Sequence, residues 1–122
     1  MKLKIMKHKT NLFLMLFLLV LANACAVEPT KKVPDKFVIG QAKFHEVCAN
    51  CHGPDAMGGS KAPKLMQVKF VSSNFSDQSI ARTILNGSNS GAMPSQKRKV
   101  SDREINEIIK YLRYSQKEAG LT

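Results

Sequence analysis

The sequence predicts a small all-α protein made of short helices and long loops. Three segments carry apolar residues at helical spacing, and each begins with a side chain suited to cap a helix. The stretches between them are rich in glycine, proline, serine and lysine. No segment of any length alternates apolar and polar residues as a strand does, and no internal repeat is visible.

The first 24 residues have the pattern of a secretory signal. Four lysines and no acidic residue precede the apolar run LFLMLFLLVLA, which is followed by the small residues ANACA. This run is shorter than the about 20 residues that a bilayer-spanning helix needs. We therefore expect residues 1–24 to be a signal peptide that directs export to the periplasm.

Cys25 directly follows the predicted cleavage point. A cysteine there resembles a lipoprotein box, in which it becomes the acylated first residue, although Ala22 replaces the branched aliphatic residue that the box prefers. Cleavage that leaves a free thiol, or that removes Cys25, is the alternative. Residues 25–34 are polar, with two prolines and no periodicity, so we expect a flexible tether before a folded domain at 35–117.

The charge balance narrows the choice of partners. Removal of four leader lysines leaves 15 basic against nine acidic residues, a net charge of +6 over 98 residues. A basic surface can meet nucleic acid, anionic membrane or acidic proteins. Nucleic acid is excluded as a partner, because the chain is exported and does not interleave aromatic with basic residues.

The first predicted helix begins at Asp35 as its cap and ends near Asn50. Its apolar positions are Val38, Ile39, Ala42, Phe44 and Val47. Residues 52–74 show no clear period and are predicted as loop. The second helix, DQSIARTILN, has Ser76 as its cap, and Asn86-Gly87 ends it.

The last helix has the strongest signals. Ser101 and Glu104 have the spacing of a capping box, and Val100 with Ile105 have the spacing of a hydrophobic staple. One face of the helix is apolar and comprises Ile105, Ile108, Ile109 and Leu112, with Tyr111 beside them.

The motif CANCH, residues 48–52, allows three kinds of chemistry. A disulfide redox site needs its C-x-x-C at a helix start near a βαβ pattern, whereas this pair ends a helix. A structural zinc site needs four ligands, and only His45 lies near Cys48, Cys51 and His52. The third is covalent haem attachment, for which C-x-x-C-H is a signature.

Haem attachment fits the spacing of the three side chains. Positions i, i+3 and i+4 share one face of a helix, so Cys48 and Cys51 can bond to the two vinyl groups of one porphyrin. The imidazole of His52 then becomes the proximal iron ligand. We therefore predict one covalently attached haem c, which would also stabilise a body with a small core.

The order of these motifs resembles the small class I, mono-haem c-type cytochromes. GQAKFHEVCANCHG, then SKAPKL, ILNGSNSGAMP and EIIKYLRY carry the resemblance, which runs from about Asp35 to Ser115. It implies a cytochrome c fold in which short helices and long loops surround the haem. By this resemblance Gly40 and Phe44 pack on Tyr111 and Leu112, the Pro63 carbonyl accepts from the His52 ring, and Met93 is the distal iron ligand.

Met93 is also favoured by its surroundings in the sequence. It lies in a Gly/Ser-rich loop that can fold over a flat cofactor, and Pro94 stiffens the loop's exit. Met57 and Met66 are rivals, but they follow His52 too closely to reach the opposite porphyrin face easily. A thioether opposite histidine favours ferrous iron and fills the sixth site.

Two further features are expected to lie on the surface. His45, one turn before Cys48, is predicted as a surface imidazole without a ligand role. Lys97, Arg98 and Lys99 follow the Met93 loop and are either solvated or a docking patch for an acidic redox partner near the haem edge.

These features predict a carrier rather than an enzyme. We expect a periplasmic cytochrome, tethered through Cys25, that moves single electrons between respiratory redox partners, with His52 and Met93 as axial ligands. One alternative is a haem-based enzyme or small-ligand sensor with a labile Met93. Another is a fixed subunit of a larger respiratory oxidase or reductase.

Overall fold

The computed structural model describes residues 26–122, and they form four helices. We label them α1 (Asp35–Val47), α2 (Ala49–His52), α3 (Asp77–Asn86) and α4 (Asp102–Glu118). Single 3₁₀ turns lie at Pro54–Ala56 and Val68–Phe70. Residues 26–122 contain no strand, which confirms the predicted all-α class. The predicted signal peptide and Cys25 lie outside the described residues.

Most helix ends follow the local signals in the sequence. The Ser76 hydroxyl accepts from the Ser79 N–H at 3.2 Å, and α3 ends at Gly87, whose φ is 84°. Ser101 and Glu104 form the predicted capping box. The prediction that Asp35 caps α1 was wrong, because Pro34 holds that position and Asp35 is the first helical residue.

The crossing of α1 and α4 organises the core. A Cβ atom on Gly40 would lie 2.0 Å from the Glu107 carbonyl oxygen and 2.9 Å from Tyr111 Cβ, so only glycine allows the two backbones to approach this closely. One turn later, the Phe44 and Tyr111 rings lie 5.6 Å apart. The apolar face of α4 predicted from the sequence is buried against this contact.

Glu104 adds an electrostatic link between the same two helices. Its carboxylate accepts from the Ser101 N–H at 2.8 Å and lies 2.9 Å from Lys43 Nζ on α1. The hydrogen bond from Ser101, and after it the contact with Lys43, lowers the pKa of Glu104 to about 2. The carboxylate therefore stays charged at all pH values near neutrality, and the cap and the cross-link persist together.

The tether, residues 26–34 of the described chain, forms no helix or strand but lies against the body. The Thr30 N–H donates to Asp55 Oδ2 at 3.0 Å, and Gln41 Nε2 donates to the Lys31 carbonyl at 2.7 Å. Val27 and Val33 pack on the core. None of the helices formed by residues 26–122 is long and apolar enough to cross a bilayer.

The close crossing predicts a large effect of Gly40→Ala. The added methyl group overlaps backbone atoms of α4, so the helices must separate, and we expect the free energy of unfolding to fall by about 3 kcal/mol. Ala42→Leu is the matched control, because it adds more bulk to α1 at an exposed position and should change that value by less than about 0.5 kcal/mol. Chemical denaturation followed by circular dichroism measures both, and equal losses would contradict the crossing.

Candidate haem attachment site

The two thiols of the motif lie at the junction between α1 and α2. Cys48 separates the helices, and Cys51 follows within α2. Both are half-buried free thiols, and Cys48 packs at the edge of the core. The helical hydrogen bonds continue through the junction, from Cys48 N–H to the Phe44 carbonyl and from His52 N–H to the Cys48 carbonyl. The two thiols and His52 are therefore presented by one nearly continuous helical segment.

The electrostatics of Cys48 disfavour a disulfide redox site. Burial, and after it the neighbouring Cys51, raises the pKa of Cys48 to about 12, while the positive charge of Lys99 opposes the rise. Redox-active cysteines have lowered pKa values, because the thiolate is the attacking species. Cys48 is thus a poor nucleophile in this environment, which does not suit a disulfide redox site.

A structural zinc site is also not supported. Within residues 26–122, no group of three or more His, Cys, Asp or Glu side chains is placed to hold a metal ion. His45 is turned away from the thiols, since its ring nitrogens contact the Gln41 carbonyl and the Asp55 N–H.

His45 corrects one expectation of the sequence analysis. It was predicted to be a surface imidazole, but its exposed fraction is only 4 %. The side chain points into the contact between α1 and the Pro54–Ala56 turn, and each ring nitrogen makes a hydrogen bond there. Burial of this polar ring is tolerated because both nitrogens are satisfied.

A hydrogen bond to the Pro63 carbonyl holds the His52 ring in one orientation. Its Nδ1–H donates to the Pro63 carbonyl at 2.9 Å, the contact that the cytochrome resemblance implies. A carbonyl only accepts, so Nδ1 carries the proton and the lone pair of a neutral ring is on Nε2. Hydrogen bonding of the other ring nitrogen is the usual support of a metal-bound imidazole. The donor chemistry of His52 therefore fits haem iron.

A tight loop brings Pro63 to His52. The Gly58 N–H donates to the His52 carbonyl at 2.6 Å, and the Leu65 N–H donates to the Ala56 carbonyl at 2.9 Å. Gly53 has a φ of 76°, and a Cβ atom there would lie 2.1 Å from the Gly58 carbonyl oxygen. These glycine requirements were not identified from the sequence, although Gly53 directly after the motif and the Gly58-Gly59 dipeptide were a visible signal.

Met93 lies in the loop that follows α3. Its N–H donates to Ser88 Oγ at 3.0 Å, and its carbonyl accepts from the Ser88 N–H at 2.9 Å, so the loop is closed on itself. The side chain is partly buried against the same core that Cys48 borders. By contrast, Met57 is 46 % exposed and Met66 is buried among core side chains. The assignment of Met93 as iron ligand stays a prediction.

Cavities within residues 26–122 lie elsewhere. One of about 560 Å³ lies between the start of α1 and the outer face of α4, and one of about 280 Å³ lies under the tether. Neither is lined by Cys48, Cys51, His52 or Met93, so neither belongs to the candidate site.

Comparison with known families decides between the remaining interpretations. The family model described as "Cytochrome C oxidase, cbb3-type, subunit III" matches residues 36–112, well over half of the chain. The chain belongs to this family. It is a c-type cytochrome domain, and membership implies haem c as its cofactor and electron transfer as its chemistry. No curated protein and no solved structure matches this cytochrome.

Covalent attachment through the CANCH thiols predicts the composition of the mature cytochrome. We expect the Cys48→Ser/Cys51→Ser double variant to lose all haem that resists denaturation, because no other described thiol remains to form a thioether. Intact mass and haem staining of a denaturing gel measure this after maturation in an exporting host.

Cys25→Ser is the control, since it leaves the CANCH pair intact and should keep the haem. Comparison of its mass with that of the wild type also reports any acyl chain that the wild type carries on Cys25. A wild type that matures without a covalent haem adduct would contradict the assignment of Cys48 and Cys51.

Proposed function

We propose that this cytochrome is a mono-haem, His52/Met93-ligated carrier of single electrons in the periplasm, and that it is not an enzyme. The observation that carries the proposal is the contact between His52 Nδ1 and the Pro63 carbonyl beside Cys48 and Cys51. It keeps the Nε2 lone pair available and fixes the ring in one orientation. A rigid ligand set suits electron exchange with little rearrangement.

The protein's own residues would have separate roles at this site. Haem c supplies an iron that exchanges one electron. Cys48 and Cys51 would hold the cofactor covalently, so that a small exported protein does not lose it. His52 would bind the iron on one side, and the soft sulfur of Met93 on the other would raise the reduction potential. With both axial positions filled, substrates would have no open coordination site.

The basic run Lys97–Lys99 supports a docking role at this site. All three residues are exposed, and the positive charge of Lys99 opposes the raised pKa of the Cys48 thiol, so this charge acts at the attachment point. Positive charge beside the site of electron exit would steer an acidic redox partner towards it. The partners would be respiratory redox proteins with acidic surfaces.

The export signal and Cys25 support a location at a periplasmic membrane surface. Residues 1–24 would be removed, and acylation of Cys25 would anchor the protein through one lipidated residue. The tether then joins that residue to the cytochrome domain. This localisation rests on the sequence pattern alone.

A second candidate function is a fixed subunit of a terminal oxidase. The description of the matching family names an oxidase subunit, which favours this candidate. In that role the same haem site would pass electrons within one stable assembly rather than between diffusing partners.

The ligand assignment predicts the behaviour of Met93→Ala. The haem should stay covalently bound, while the loss of the sulfur ligand lowers the potential by a sizeable part of the roughly 0.8 V range that axial ligands span. Redox titration and optical spectra measure this, and Met57→Ala, an exposed methionine, should match the wild type. An unchanged potential in Met93→Ala would mean that another residue is the ligand.

Carbon monoxide binding distinguishes an electron carrier from a ligand sensor or a haem enzyme. Ferrous wild type should not bind carbon monoxide readily, whereas Met93→Ala should bind it. Rapid binding by the untreated wild type would favour a labile Met93 and overturn the carrier.

Purification in mild detergent separates the free carrier from the fixed subunit. A carrier that docks through Lys97–Lys99 should dissociate from its partners at moderate salt, because exposed charge pairs are screened over about a Debye length. Lys97→Glu/Lys99→Glu should slow electron transfer to an acidic partner and abolish its salt dependence, while Lys36→Glu at the far end of α1 should not. Co-purification that survives moderate salt would favour the fixed subunit.

A further inference from the structure

A buried polar network surrounds Asp55, outside the proposed iron ligands His52 and Met93. Asp55 and His45 are almost fully buried, and the polar groups about them come from α1, α4 and the tether. Buried polar groups of this kind are costly unless each is hydrogen-bonded. The network is therefore stable only because its members form hydrogen bonds with one another.

His45 connects α1 to the turn that follows His52. Its Nδ1–H donates to the Gln41 carbonyl at 2.8 Å, and its Nε2 accepts from the Asp55 N–H at 3.0 Å. The two contacts require opposite roles of the two ring nitrogens, with Nδ1 as the donor and Nε2 as the acceptor. An aliphatic residue of equal size could fill the space but could not hold the Asp55 N–H.

The backbone at this point is strained. Asp55 and Ala56 both have positive φ angles, 52° and 60°, which residues other than glycine rarely adopt. Strain of this kind persists only where surrounding contacts impose it. His45 supplies that constraint on the Asp55 N–H.

The Asp55 carboxylate is held from two other directions. Oδ2 accepts from the N–H and from the hydroxyl of Thr30 in the tether, and Tyr111 OH lies 3.4 Å from Oδ1. Burial, and after it the charge of Asp55, raises the pKa of Tyr111 to about 12, so the phenol keeps the proton that it donates. The carboxylate thus joins the tether, α4 and the strained turn.

The same turn determines where Pro63 lies. The Ala56 carbonyl, adjacent to the fixed Asp55, accepts from the Leu65 N–H at 2.9 Å, and the Gly59 N–H donates to the Ala62 carbonyl at 3.2 Å. These bonds close the loop on both sides of Pro63. A shift of the 55–56 turn would therefore move the carbonyl that orients the iron ligand.

We propose that His45 and Asp55 form a positioning pair that holds the 53–65 loop, and through the Pro63 carbonyl the ring of His52, in place. The inference rests on the proposed function, because His52 matters only as an iron ligand. The pair would act on the iron ligand only through the loop, since its described contacts are with Gln41, Thr30 and Tyr111. Its effect is on the strength of the hydrogen bond from the His52 Nδ1–H to the Pro63 carbonyl.

The test measures that bond directly in the ferrous, haem-bearing protein. In His45→Leu the exchange of the His52 Nδ1–H with solvent, followed by NMR of histidine labelled with ¹⁵N, should become at least about tenfold faster. The reduction potential should rise, because a looser hydrogen bond makes the imidazole a weaker donor. His45→Gln should restore both, since its side-chain oxygen can accept from the Asp55 N–H.

Ile80→Val is the matched control for lost stability. It trims the buried core on α3, away from the loop, and should leave the exchange rate and the potential unchanged. If His45→Leu behaves like Ile80→Val in both measurements, His45 is only a structural residue and the inference is overturned.

Thr30→Val provides the test if His45→Leu fails to mature. It removes only the hydroxyl bond to Asp55 from the exposed tether, and it should speed exchange of the same proton; an unchanged rate would overturn the inference. Failure of the proposed function is separable, because it would appear as a wild type without haem or without His52 bound to iron.

Discussion

The close approach of α1 and α4 at Gly40 is the constraint on which the rest of the structure depends. Because no side chain separates the two backbones there, the Phe44 ring can pack against the tilted ring of Tyr111 one turn further along. That turn leads directly to Cys48, so the crossing also sets where the attachment motif begins. In so small a body, one helix pair thus defines both the core and the place of the cofactor.

Around this frame, His52 and the loop that follows it are held by polar contacts. His52 is bonded on its ring by Pro63 and on its carbonyl by Gly58, while the turn at Asp55 is fixed from α1 by His45. Apolar packing is tolerant of small shifts, whereas hydrogen bonds are directional. Hydrogen bonds therefore suit a site in which the histidine ring must keep one orientation through repeated electron exchange.

Local signals in the sequence predicted much of this structure. The caps at Ser76 and Ser101 and the buried face of α4 depend on neighbours within a few residues, and all are present. The burial of His45 was not predictable in this way, because its partner Asp55 lies ten residues further on in a turn with positive φ angles. The motif CANCH indicated the kind of site and the cytochrome resemblance implied the Pro63 contact, but no local signal indicated that His45 and Asp55 would hold the neighbouring turn.

The docked tether limits how far an anchored domain could travel. Ten extended residues would span about 35 Å, but Val27 packs on the core, so a domain anchored through Cys25 would be held close to its anchor. If Cys25 carries the proposed acyl chain, the domain would lie close to the lipid headgroups in a restricted range of orientations. Electrons would then be exchanged only with proteins that reach the cytochrome at the membrane surface, at the distance from the bilayer that the docked tether allows.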